Sequence, residues 1–161
     1  KDPLFPATAG SDIAYSILEE TEYALAPAAR DKYKFAYLTR NSLYRTHSTH
    51  SNNPTLNELQ GFKARVWLNP NDARVKGIKD NDKVEVYNDR GKVIGYAVMD
   101  EGVQQKMVVF EQGWWSRYLE GTSFNSLIYP WIKPTHEIYF VPGIWSPSTA
   151  WNECLCDVRK A

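Results

Sequence analysis

The run from Lys83 to Met99, KVEVYNDRGKVIGYAVM, constrains the fold of this chain more than any other. Val84 and Val86 alternate with Lys83, Glu85 and Tyr87, the period of a half-buried strand. Asn88-Asp89-Arg90-Gly91 then supplies turn residues, and Lys92 to Met99 returns as a second strand. The pattern is that of a β-hairpin. Gly91 is expected to relieve backbone strain in its turn.

The same period recurs elsewhere. Tyr33, Phe35, Tyr37 and Thr39 alternate with Lys34, Ala36, Leu38 and Arg40. Further strands are expected over Ala64–Leu68, Met107–Phe110 and Cys154–Val158. Asn52-Asn53-Pro54 breaks the chain, and Leu56–Leu59 reads as a short turn. Asn69 and Pro70 suit the cap and first turn of a short helix that runs to about Lys76 and is closed by Gly77. Residues 11–26 read as an amphipathic helix capped by Ser11. After Gly113, repeated glycine, proline and tryptophan imply long surface loops. Many short strands with one short helix point to a closed β-barrel. We therefore divide the chain into an N-terminal arm, residues 1–32, and a β domain, residues 33–161.

At 161 residues the chain can bury about two-thirds of its unfolded surface and needs no staple. Its 19 basic and 19 acidic residues cancel, so no global field favours nucleic acid or an anionic membrane. No apolar run approaches the roughly 20 residues of a membrane span, which argues against direct membrane insertion. The opening at Lys1-Asp2-Pro3, without an initiator Met or signal peptide, reads as a piece cut from a longer protein. Cys154 and Cys156 share one face of a strand about 7 Å apart, a poor geometry for a mutual disulfide.

The charge that balances overall is unevenly placed. Residues 1–30 hold five acids against two bases, and residues 31–50 hold four bases against one acid. The basic stretch ends in Arg45-Thr46-His47-Ser48-Thr49-His50-Ser51. Hydroxyls, guanidinium groups and successive backbone N–H groups in a turn are what a pyrophosphate needs. The bland alternative is a solvated polar loop. His47, His50, Cys154 and Cys156 lack the Cys-pair spacing of structural zinc. Adjacent His47 and Ser48 do not present base and nucleophile to each other, and no GxSxG elbow is present. Asp72, Asp80 and Asp82 lack the spacing of a calcium loop. The tryptophans Trp114, Trp115, Trp131, Trp145 and Trp151 suit plain packing, stacking on a sugar or base, or an interface with missing domains; we favour the last.

Several ordered blocks resemble one family. They are Trp67-Leu68-Asn69-Pro70-Asn71-Asp72-Ala73, Gly77-Ile78-Lys79-Asp80-Asn81-Asp82, Val84 to Gly91, Gly113-Trp114-Trp115 and Asn125-Ser126-Leu127. Together they are similar to the C-terminal dinucleotide-binding domain of the dimethyl sulfoxide reductase family of molybdenum and tungsten oxidoreductases, over about residues 33–160. The resemblance implies a mainly β fold: a six-stranded double-psi β-barrel, aspartate-decarboxylase-like, with short helices and here an N-terminal helical arm. It implies a cofactor-binding domain that holds a bis-molybdopterin guanine dinucleotide carrying Mo or W. It implies as partners the other domains of a catalytic subunit and an iron–sulfur electron-transfer subunit, and a parent enzyme that in many relatives is exported. The isolated piece is expected to be inactive.

By this resemblance the phosphate- and pterin-contacting segment corresponds to Leu38-Thr39-Arg40 and Arg45-Thr46-His47-Ser48-Thr49. It departs from the family form in that Thr39 directly precedes Arg40. Phosphate or ribose contacts are expected from Arg40, Arg45, Ser48 and Thr49, and pterin or guanosine contacts from His47, Asn125 and Asn152, with Thr39 and Tyr44 alongside. The competing reading is a stand-alone β-barrel that binds carbohydrate or single-stranded nucleic acid through its tryptophans. Neutral net charge argues against nucleic acid as a partner.

Overall fold

The computed structural model describes residues 27–128 and 154–161. Six strands close into a barrel: β1 (Phe35–Arg40), β2 (Arg65–Leu68), β3 (Lys83–Tyr87), β4 (Lys92–Met99), β5 (Met107–Glu111) and β6 (Cys154–Lys160). The order around the barrel is β1-β5-β2-β4-β3-β6. Two pairings are parallel, β1 with β5 and β2 with β4, and the other four are antiparallel. Parallel neighbours cannot be joined by a tight turn. The chain therefore crosses the barrel ends, giving the interlocked six-stranded barrel the resemblance implies.

Period two sorts the side chains. Tyr37, Val66, Leu68, Val84, Val86, Val93, Val108, Phe110 and Val158 are wholly or almost wholly buried and form the core. Burying each such apolar side chain stabilises the fold by about 1.5–3 kcal/mol before entropy is charged. Cys154 and Cys156 are both buried on β6 opposite Tyr37 and Phe35.

The hairpin forms as the alternation requires, but Gly91 serves a different purpose. Its φ is not in the left-handed range. A Cβ there would stand 2.8 Å from Cβ of Ser126, so the position is closed by a neighbour and not by turn strain. Asn88 locks the turn: its side-chain amide donates to the Leu127 and Leu155 carbonyls at 2.9 and 3.0 Å, and its Oδ1 accepts from Arg90 N.

Three α-helices stand in the described residues where one was expected: α1 (Pro27–Lys32), α2 (Pro54–Leu59) and α3 (Pro70–Val75). Leu56–Leu59, read as a turn, is the body of α2. Asn53 caps it, accepting from Leu56 N at 3.2 Å, with Pro54 at its first position. Asn69 and Pro70 open α3 in the same way, and Gly77 follows its end at φ +67°. The helix expected over residues 11–26 lies outside the described residues.

Glu85 is buried on β3 between Lys92, at 2.8 Å, and Arg159. These partners hold its carboxyl below the usual glutamate range, the Lys92 hydrogen bond first, against the opposing effect of burial. A carboxyl whose folded pKa is depressed contributes stability that is present above its unfolded pKa, near 4.3, and is lost as pH falls through the folded value. Thermal melts from pH 7 down to about pH 3 are expected to show a shallower acid decline for Glu85→Gln than for the wild type. Parallel declines would contradict this assignment.

Strand directions define two ends. The C-terminal ends of β1, β3 and β5 and the N-terminal ends of β2, β4 and β6 share one end of the barrel. The 41–64 connection, the 88–91 turn and the 112–128 segment all start or finish there. Helix α3 and the 100–106 connection lie at the other.

Candidate functional site

The polar run identified in the sequence leaves β1 at this first end. Arg40 is exposed, its guanidinium 4.4 Å from the centre of the Trp67 ring, and its carbonyl accepts from Gln112 N at 3.0 Å. Thr39 is half-buried beside it, in register with Phe110. Tyr44 is half-buried, and its N–H donates to Ser42 Oγ at 3.1 Å.

From Thr46 the chain makes two successive turns. Thr49 N donates to the Thr46 carbonyl at 3.0 Å, and Asn53 N to the His50 carbonyl at 2.9 Å. His47 and His50 take left-handed backbone angles, φ 53° and 64°. Such angles are uncommon for residues other than glycine, although His is among those enriched there, and they cost energy that the surroundings must supply. His47, Ser48 and Thr49 are exposed on the outside of these turns.

The supply lies underneath. Arg45 is only 5% exposed. Its Nη1 donates to Gln60 Oε1, its Nη2 donates to Asn57 Oδ1 at 2.5 Å, and its guanidinium stacks 3.6 Å from the centre of the Trp114 ring. Gln60 Nε2 donates to both oxygens of buried Glu111, at 3.0 and 3.1 Å, and Trp114 Nε1 donates to Glu111 Oε2 at 3.1 Å. Asn57 Nδ2 donates to the Ser51 carbonyl at 2.8 Å, and Ser51 Oγ donates to the Gly113 carbonyl at 2.6 Å. Trp115 Nε1 donates to the Ser48 carbonyl at 2.9 Å. Burial lowers the Arg45 pKa from its ordinary value, and the charge of Glu111 opposes this. A buried cation and carboxylate are tolerable together because each has charge-assisted partners.

Gly113 explains how the two segments approach so closely. At φ +93° it places a would-be Cβ 1.8 Å from the His47 carbonyl oxygen. Only a residue without a side chain fits.

Asn125 sits on a short 3₁₀ turn, Phe124–Leu127, at the same barrel end. Its N–H donates to Ser123 Oγ at 3.3 Å, and its side chain is exposed. The turn is anchored by Phe124, which stacks on Phe110 at 6.2 Å between ring centres and whose carbonyl accepts from the Tyr37 hydroxyl. Asn152, Trp131, Trp145 and Trp151 lie outside the described residues.

His47, Ser48 and Thr49 are thus exposed on one loop, with Arg40 exposed at the end of β1 and Asn125 at the same end of the barrel. Arg45 faces inward: its Nη1 and Nη2 donate to Gln60 and Asn57, its buried Nε has no hydrogen-bond partner, and it supports the loop from below. Trp114, offered as an interface residue, is a core residue at 3% exposure. Trp115 does reach the surface. Sequence reasoning missed Asn57, Gln60 and Glu111. Nothing local marks them, since amides and carboxylates belong to exposed positions by default.

The loop suits an anion. Residues 32–57 contain no carboxylate. Hydroxyls and an imidazole are presented on the turns, with the Arg40 guanidinium at the end of β1, and these are donor types a diphosphate requires.

The family model described as "Molydopterin dinucleotide binding domain" matches residues 35–142. The respiratory nitrate reductase subunit alpha of Haloferax mediterranei is 31% identical over 80% of this chain and 14% of its own length. The perchlorate reductase subunit alpha of Dechloromonas aromatica is 33% identical over 84% of this chain and 15% of its own. The chain therefore spans about a seventh of the length of these curated relatives. Among solved structures, acetylene hydratase from Pelobacter acetylenicus superposes with a TM-score of 0.68 at 13% identity, covering 89% of this chain and 20% of the hydratase; this likeness speaks to the fold alone. With a closed six-stranded barrel and a family match over most of its length, the chain belongs to the molybdopterin dinucleotide-binding domains, the C-terminal domain of catalytic subunits in the dimethyl sulfoxide reductase family.

Proposed function

We propose that this domain grips the guanosine diphosphate end of molybdopterin guanine dinucleotide with the loop that follows β1. The observation that carries the reading is the loop itself: hydroxyl and imidazole groups exposed on turns braced by a buried network, beside the exposed Arg40 that ends β1. Arg40, Ser48 and Thr49 would meet phosphate or ribose oxygens. His47 and Asn125 would meet the pterin or guanosine edge, with Asn152 as a further candidate. When bound, the group would bring a molybdenum or tungsten centre able to exchange electrons and oxygen atoms with a substrate. This chain's part is to bind, orient and shield it.

Residues 1–32 serve, in this reading, as a linker from a preceding domain, and the rest of the parent subunit completes the pocket. Four exposed apolar side chains support this. Leu43, Leu59, Phe62 and Trp115 all lie on segments of the site end, where a monomer would otherwise leave them in water. An iron–sulfur electron-transfer subunit is a further partner we propose for the parent. A stand-alone carbohydrate or nucleic-acid module has less support, because Trp114 is in the core and Trp115 is tied to the Ser48 carbonyl.

Calorimetric titration of the chain with GDP and Mg²⁺ is expected to show weak, salt-sensitive binding, since much of the pocket is absent. Arg40→Ala and Ser48→Ala are each expected to weaken it about tenfold, the loss of one charge-assisted hydrogen bond, about 1.4 kcal/mol. Binding that both variants leave unchanged, or no binding at all, would count against the reading. No turnover is expected from the chain alone.

A further inference from the structure

We infer that Asn57 and Gln60 are positioning residues for the anion loop, acting through Arg45 as a clasp that presets Thr46–His50 before any ligand arrives. The inference rests on the cofactor reading for its purpose, but not for its geometry.

The loop has two roots, Arg45 and Ser51, and Asn57 holds both. Its Oδ1 accepts from Arg45 Nη2, while its Nδ2 donates to the Ser51 carbonyl. Its amide orientation is dictated by these neighbours, since a guanidinium can only donate and a carbonyl can only accept. The same holds for Gln60. Its oxygen meets the Arg45 cation and its NH₂ meets the Glu111 carboxylate. A flipped amide would set donor against donor and acceptor against acceptor. The amide dipole therefore lies between a buried positive and a buried negative group in the favourable sense, and the low local dielectric makes each contact strong.

Three distant segments are joined by this chain of contacts: the loop root, the end of α2 and the end of β5. The left-handed His47 and His50 sit between the clasped roots. Loops of this kind commonly open locally. Here the closed form is the one with every clasp contact made, and opening it exposes a buried ion to incomplete solvation. A ligand that needs His47, Ser48 and Thr49 together then meets them already arranged, which avoids an ordering cost on binding.

Amide hydrogen exchange on the 161-residue chain tests this without ligand. Gln60→Leu is expected to speed exchange of the hydrogen-bonded loop amides of Thr49 and Asn53 at least tenfold while leaving the amides of β3 and β4 within about twofold. Trp114→Phe removes the indole N–H to Glu111 and reduces the ring on which Arg45 stacks, while leaving the Arg45–Gln60 and Arg45–Asn57 contacts, and should give a smaller effect of the same pattern, about threefold; it covers the case in which Gln60→Leu does not fold. In parallel, Gln60→Leu should raise the Kd for GDP about tenfold although residue 60 is placed away from the exposed donors. Unchanged exchange in the loop, or equal acceleration in β3 and β4, would overturn the clasp. Fast local exchange in the variants of a chain that binds no GDP would keep the clasp and discard the cofactor reading.

Discussion

Gly113→Ala is expected to cost about 3–5 kcal/mol and to abolish GDP binding, the largest effect of any single methyl group at this site. Its added carbon would lie 1.8 Å from the His47 oxygen and 2.9 Å from the His47 carbonyl carbon. Both are backbone atoms, so no rotamer change relieves the clash. The left-handed φ of +93° adds strain for any L side chain. Separating the strands of chain would also stretch the Ser51–Gly113 and Trp115–Ser48 hydrogen bonds. A domain with the usual 5–15 kcal/mol of stability would survive only as a loosened form. Urea unfolding monitored by tryptophan fluorescence gives the cost directly. A variant with the wild-type midpoint and wild-type GDP affinity would show that the two segments do not meet as described.

Phe110→Ala is the second. Phe110 has no exposed surface, and truncating such a side chain typically costs 3–5 kcal/mol. It also removes the stacking partner of Phe124. The 3₁₀ turn that carries Asn125 would keep the Tyr37 hydroxyl, the Asn88 and Arg90 donors to the Leu127 carbonyl, and the packing of Leu127 and Ser126. We expect a loss of about 4 kcal/mol in urea unfolding, with exchange accelerated at residues 124–127 beyond the barrel average. Phe110→Leu keeps most of the volume and should cost about 1.5 kcal/mol. Equal costs for the two substitutions would mean that the volume leucine keeps contributes nothing and that the whole cost lies in the ring's own contacts, the Phe124 stack among them.

These effects differ in how readily the primary structure announces them. Val84 and Val86 declare a strand through their immediate neighbours, and Asn69-Pro70 declares a helix start in two residues, because alternation and capping are local physics. Likewise His47, Ser48 and Thr49 declare an exposed polar loop by their chemistry side by side. Arg45 carries the same chemistry and sits in the same run, yet it faces inward. Its partners Asn57 and Gln60 are 12 and 15 residues away, and Glu111 lies 51 residues beyond Gln60. No window of sequence contains that set. Trp114 and Trp115 make the point within one dipeptide: the first is core and stacks on Arg45, and the second is at the surface bonded to Ser48. Gly91 sits in a turn motif that announces a glycine locally, yet what crowds the position is Ser126, 35 positions on.

The alternating strands, the capped helix α3 and the identity of the exposed polar loop follow from residues close together in the chain. What only the folded barrel decides is which way each loop residue points and what holds it there. Closure brings the ends of β1 and β5 side by side, packs Gly113 against the His47 carbonyl, and buries one arginine with its carboxylate where water cannot substitute for either. Hydrogen bonds between residues so far apart exist only after the chain has collapsed, so their physical cause is long-range packing and not local preference.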